Sequence, residues 1–246
     1  MKTRKNKIVR YLLIGMGLLV ALVAAGIFYV HTISYEPTAQ ATEAAKSAEK
    51  EHGTLVFQGE KDRPAIIFYQ GALVDNTSYS LWAKTVSEAG YPVYLVEEPL
   101  NLAVMSPNKA EKIIKAYNLD SYVIGGHSLG GVMASRFAAN HHTDSGLKGV
   151  FFLASYPDKK GSLTNFEGQV LSLTGTKDGV LNWDAYNDAS QYLPQQTVKK
   201  EITGGNHAGF GSYGQQKGDN EATINNDEQQ EEVASAMIDW LKTIKD

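Results

Sequence analysis

Six short apolar runs, each dense in β-branched and aromatic residues, recur along this chain with amphipathic stretches between them: 54–58, 65–69, 92–96, 122–125, 149–154 and 169–173. Each has the length and composition of a buried strand. Helices are expected over 78–89, 108–117, 129–141 and 182–193. A closing helix over 231–244 would place Val233, Met237, Trp240, Leu241 and Ile244 on one face. Strands and helices that alternate in this way imply an α/β fold with a central, mostly parallel sheet and helices on both faces. In such sheets, functional residues collect on loops leaving the carboxyl ends of strands. No internal repeat at a fixed period is present.

A separate segment precedes this pattern. Residues 11–30 (YLLIGMGLLVALVAAGIFYV) carry no charge, and a helix of that length spans roughly 30 Å, the hydrocarbon thickness of a bilayer. Lys2, Arg4, Lys5, Lys7 and Arg10 lie in residues 1–10 without an acid among them. They predict a cytoplasmic basic tail, a single-pass signal anchor over 11–30 and an extracytoplasmic remainder in the cell membrane. The alternative is secretion after cleavage, because Ala39-Gln40-Ala41 has the small-x-small form read by signal peptidase. The apolar run is longer than a usual signal-peptide core, however, and Ala41 lies far beyond its end. Residues 31–52 hold few large apolar side chains and read as a stalk, partly helical from Thr42. A folded domain is then expected over 53–246.

Charge and cysteine content narrow the chemistry. Lys and Arg number 23 against 27 Asp and Glu, and five of the basic residues lie in the first ten, so the body is acidic. That balance argues against a nucleic-acid partner bound through phosphate neutralisation. Zero cysteines exclude disulfides, thiolate zinc sites, iron–sulfur clusters and a thiol nucleophile.

Within the sheet pattern, Gly126-His127-Ser128-Leu129-Gly130 follows an apolar strand directly and opens the helix LGGVMASRFAAN. A G-x-S-x-G turn in this setting holds its serine clear of the sheet at a helix N-terminus. A serine hydroxyl needs a base to become a nucleophile. His141 and His142 lie at the far end of that helix, roughly 20 Å away, and read as its solvated terminus. His207 lies in the glycine-rich loop GGNHAGFG, between the strand-like VKKEIT and the closing helix, where a base would be placed. Asp178 follows the strand QVLSLTG and would fix the tautomer of His207 and stabilise its imidazolium form. Asp158, after VFFLASYPD, is the rival acid, with the less favourable strand–turn setting.

The order Ser128, Asp178, His207, together with AIIFYQGALVDNTSY, VEEPLNLAVMSPNKAEKII, YVIGGHSLGG, LTGTKDG and GGNHAGFG, resembles the α/β-hydrolase superfamily. Among its members it looks like the small dienelactone-hydrolase-like, carboxylesterase-type ones, over essentially all of residues 53–246. The resemblance implies an α/β-hydrolase fold and hydrolysis of a carboxylic ester, small or lipid-like, through an acyl-Ser128 intermediate, with no metal or organic cofactor required. The oxyanion would be held by the N–H of Leu129 and by one from Gln70-Gly71-Ala72-Leu73, taken as that of Ala72. Gln70 stands where many lipases carry histidine. Leu100, Leu102, Val104 and Met105 in the connection 97–108 either line an acyl pocket or pack as ordinary core. Two other functions keep the same fold: a cell-surface acyltransferase using the same three residues, and a binding module without turnover.

Overall fold

In the computed structural model the backbone is described for residues 2–244 and side chains from Tyr11 onward. The side chains of the expected basic tail, residues 1–10, and residues 245–246 of the expected domain lie outside the described residues. The chain divides into two units, Met1–Ser34 and Tyr35–Asp246. The first is helix α1 (Lys2–Ile33), in which Tyr11–Ile33 is long and apolar enough to cross a membrane, with none of that stretch buried.

The second unit is built on eight strands: β1 (Glu49–Glu51), β2 (Thr54–Phe57), β3 (Ala65–Tyr69), β4 (Val93–Val96), β5 (Tyr122–His127), β6 (Leu147–Leu153), β7 (Gln169–Gly175) and β8 (Val198–Ile202). They form one sheet in the order β1-β2-β4-β3-β5-β6-β7-β8. β1 and β2 are antiparallel to their neighbours and the other adjacent pairs are parallel. The helices are α2 (Ala39–Ala45), α3 (Ser80–Glu88), α4 (Lys109–Tyr117), α5 (Leu129–Asn140), α6 (Trp183–Asp188) and α7 (Asn226–Leu241).

Strand side chains alternate between two cores, as a pleat covered on both faces requires. Ile66, Phe68, Phe151 and Leu153 face Trp82 and Val86 of α3 and Val233, Met237 and Trp240 of α7. Ala65, Ile67, Tyr69, Val150 and Phe152 face Ile113 of α4 and Met133 and Phe137 of α5.

Three expectations are corrected. The stalk over 31–52 is not separate, because residues from Tyr35 belong to the second unit. Ala41 and Ala44 of α2 are buried, and β1 pairs with β2 through His52 and Gly53, both at positive φ, the geometry of a tight hairpin turn. Small residues and a charged edge strand bury little apolar surface, so hydrophobicity alone missed them. The expected helix 182–193 is α6 followed by a 3-10 turn over Ala189–Tyr192. α7 starts five residues before the expected 231, where Asn225 and Glu228 form a reciprocal capping box.

Candidate active site

The turn after β5 is held in a conformation that ordinary residues avoid. Ser128 sits at φ 51°, ψ −122°, a strain of about 1–3 kcal/mol that its surroundings must impose. They do so through three contacts: the Ser128 N–H donates to Leu153 O at 3.0 Å, the Gly131 N–H donates to Ser128 O at 3.1 Å, and Ser155 Oγ donates to Ser128 O at 2.6 Å. The flanking glycines are required by close approach. A Cβ on Gly130 would lie 2.2 Å from Tyr69 O and 2.4 Å from Gln70 O, and one on Gly126 would lie 2.5 Å from Tyr69 O. The start of α5 is thereby pressed against the end of β3 and the loop that follows it.

That loop is tied down around Ala72. The Gly71 N–H donates to Tyr79 Oη at 2.9 Å and the Leu73 N–H to Asn101 O at 2.8 Å. Gln70 Nε2 donates to Val74 O and to Asn101 Oδ1. Among the described residues the Ala72 N–H has no hydrogen-bond partner. The Leu129 N–H belongs to the first turn of α5, where amides lack a partner within the helix.

β7 and β8 carry the second pair of residues to the same end of the sheet. Asp178 Oδ1 accepts the N–H groups of Val180 and Leu181 at 2.9 and 2.7 Å, and Oδ2 lies 2.8 Å from His207 Nδ1. Both residues are buried, Asp178 to 4% exposure and His207 to 1%. An ionised carboxylate only accepts, so Nδ1 donates and the neutral ring has its free lone pair on Nε2. His207 Nε2 is buried without a partner, and Ser128 Oγ makes no hydrogen bond to it here. The connection to the elbow runs through His127, whose ring packs against that of His207 at a tilt of 46°, with centroids 4.6 Å apart.

The structure therefore joins Asp178 to His207 directly and places their ring beside the residue preceding Ser128. Asp158 is occupied elsewhere. It forms an ion pair with Arg136 and accepts the N–H groups of Lys160 and Gly161, and the Arg136 guanidinium holds its carboxyl below the usual range. His141 lies against Glu111 at 3.3 Å at the far end of α5.

Several participants carried no sequence signal. Tyr79 Oη accepts from Gly71 and lies 2.9 Å from His127 Nδ1. Burial, then the neighbouring His207, push the His127 pKa well below the usual histidine value, so this imidazole stays neutral. Asp219 clamps the two loops together, accepting the Gly179 N–H at 2.9 Å and the Ala208 N–H at 2.8 Å. Glu98, two residues past the end of β4, is 1% exposed. Its backbone N–H donates to Gln70 Oε1 at 3.2 Å, and burial raises its carboxyl pKa to about 7. In the same connection Ala103 is buried, whereas Leu100, Val104 and Met105 are 38, 50 and 58% exposed. Ordinary core packing does not describe those three.

A strained serine between a strand and a helix, with a buried Asp–His pair from the last two parallel strands, is the arrangement of an α/β hydrolase. Residues 65–231 match the alpha/beta hydrolase family, and the chain belongs to that family. Solved structures agree on the fold. A predicted CIB-like hydrolase from Thermoplasma acidophilum is 19% identical with a TM-score of 0.60, the match covering 80% of this chain and 99% of that one. The dienelactone hydrolase of Anabaena variabilis is 16% identical, TM-score 0.55, over 78 and 92%. Carboxylesterase CesB of Bacillus subtilis is 11% identical, TM-score 0.55, over 82 and 97%. No curated protein matches the chain in sequence.

Proposed function

We propose that this α/β hydrolase cleaves a carboxylic ester through an acyl-Ser128 intermediate. The observation that carries the reading is the buried Asp178–His207 hydrogen bond beside the strained Ser128 elbow. With Nδ1 committed to Asp178, His207 Nε2 takes the Ser128 Oγ proton as Oγ attacks the ester carbonyl. The negative charge on the carbonyl oxygen is met by the N–H groups of Leu129 and Ala72. His207 then returns the proton to the departing alcohol. In the second half it removes a proton from water as the water oxygen attacks the acyl carbonyl, then gives that proton to Ser128 Oγ as the ester bond to Ser128 breaks and the acid leaves.

In the same proposal α1 remains in the cytoplasmic membrane with its basic end inside, and the hydrolase unit stands outside. Cleavage after Ala41 would remove Tyr35, whose N–H and C=O bond Leu73 and Asp75, and would cut through α2 at a fully buried alanine. That favours an uncleaved anchor over the secreted alternative.

The test is the intact mass of the full chain in detergent after exposure to a fluorophosphonate. One adduct mapping to Ser128, absent from Ser128→Ala and much slower in His207→Ala, is the expected result. A well-folded chain that takes up no adduct refutes an activated Ser128.

A further inference from the structure

The point where the chain enters its second unit is fixed by backbone hydrogen bonds within that unit. α1 ends at Ile33 and the second unit begins at Tyr35, with Ser34 between them. Tyr35 is fixed against the loop after β3: its N–H donates to Leu73 O at 2.6 Å, and its C=O accepts the Asp75 N–H at 3.1 Å. Leu73 in turn donates its N–H to Asn101 O at 2.8 Å. Tyr35, Leu73 and Asn101 thus lie side by side, and neighbours bonded in this way are about 5 Å apart. The exposed Leu100, Val104 and Met105 belong to this connection. Residues 103–105 pack on α5, the helix that starts at Leu129.

The attachment point, the exposed apolar side chains and Ser128 therefore share the carboxyl-end rim of the sheet. If α1 spans a bilayer to Ile33, the single residue before Tyr35 reaches no more than about 3.6 Å per residue. Tyr35, on that rim, is then tethered within about 7 Å of the end of the span. A patch of Leu, Val and Met exposed on that rim matches the acyl boundary of a membrane, where apolar side chains are removed from water.

We propose that residues 99–105 dock on the lipid bilayer into which α1 is inserted, and that the Ser128 site takes an amphiphilic ester from that bilayer. This rests on the readings of α1 as a retained anchor and Ser128 as the nucleophile. The bilayer is the occupant because the chain's own anchor places it there.

The experiment uses the full chain reconstituted in phosphatidylcholine vesicles whose acyl chains are brominated near the headgroup. Met105→Trp adds an indole to the parent's three Trp residues, all beyond α1. Its extra emission is expected to be quenched, reporting burial roughly 5–10 Å into the interface. A second variant carries about twenty Gly/Ser residues inserted after Ser34, giving the unit roughly 25 Å of slack. The insertion is expected to relieve the quenching and to slow hydrolysis of a long-chain ester dissolved in the vesicles by about tenfold, through lost effective concentration. Hydrolysis of a water-soluble short-chain ester stays at the parent's rate. No quenching in Met105→Trp overturns the docking. Quenching and bilayer-ester hydrolysis that are unchanged by the insertion overturn the role of the short tether. Absence of Ser128-dependent hydrolysis of both esters sinks the enzymatic reading instead, while the quenching still decides the docking by itself.

Discussion

Asp178→Asn tests the Asp–His pair because the structure dictates which way the new amide must point. One carboxylate oxygen accepts two backbone N–H groups, at Val180 and Leu181, and the other accepts His207 Nδ1–H. An asparagine oxygen can keep only one of these sets. Leaving it on Val180 and Leu181 preserves two hydrogen bonds of about 1 kcal/mol each, whereas turning it to His207 directs an NH2 at two buried amide donors. Two bonds outweigh one, so the amide nitrogen faces Nδ1 and the imidazole shifts its proton to Nε2. In that tautomer Nε2 cannot accept the Ser128 proton. Triads with this error lose about 10⁴ in kcat, or roughly 5.4 kcal/mol of barrier at 1.36 kcal/mol per decade, and KM should change little. The assay is steady-state hydrolysis of a soluble chromogenic ester by the full chain, with thermal unfolding measured alongside. A fall in kcat of less than tenfold in a folded variant would show that Asp178 does not govern the His207 tautomer.

Asp158→Asn separates the rival acid from the one chosen. Its pair with Arg136 is about one-third exposed on both sides, so stability should fall by about 1 kcal/mol or less and the kcat for the same ester should hold. Gly130→Ala forces a methyl against two backbone oxygens at 2.2 and 2.4 Å, and urea unfolding should show a loss of about 1–3 kcal/mol together with reduced activity. Glu98 has its pKa raised from 4.5 to about 7 by burial. The protonated form is therefore favoured in the folded state, and stability present below pH 4.5 is lost as pH rises through 7. Urea unfolding of the parent should weaken by roughly 2–3 kcal/mol between pH 5 and 8 relative to Glu98→Gln, at 1.36 kcal/mol per pKa unit. Parallel profiles for the two chains would refute that assignment.

Much of the fold was legible because its determinants are local. A run such as AIIFY, buried on both faces, announces a parallel strand, and Gly126, Ser128 and Gly130 announce the turn because only that spacing lets α5 approach Tyr69 so closely. His207 was legible for the same reason, lying in a glycine-rich loop after the last strand. Segments with weak local signals were misplaced. Ala41 and Ala44 gain their burial from residues far along the chain, and Glu49–Glu51 is a strand only because β2 pairs with it.

By itself the sequence determined the apolar helix, the alternation of strands with helices, the glycine-flanked turn at Ser128 and the order of Ser128, Asp178 and His207 along the chain, all encoded in periodicity or in neighbouring residues. The sequence favoured Asp178 over Asp158 by its strand–turn setting, but only the tertiary structure shows Asp178 meeting His207, because Arg136 occupies Asp158 while the sheet register brings the ends of β7 and β8 together. The tertiary structure also decided that Tyr79 and His127 connect the loop after β3 to the His207 ring, that Glu98 is removed from water, and that Tyr35 joins the unit on the same rim as Ser128. Each of these depends on contacts between residues distant in sequence, and local propensity carries no information about which distant partner a side chain will meet.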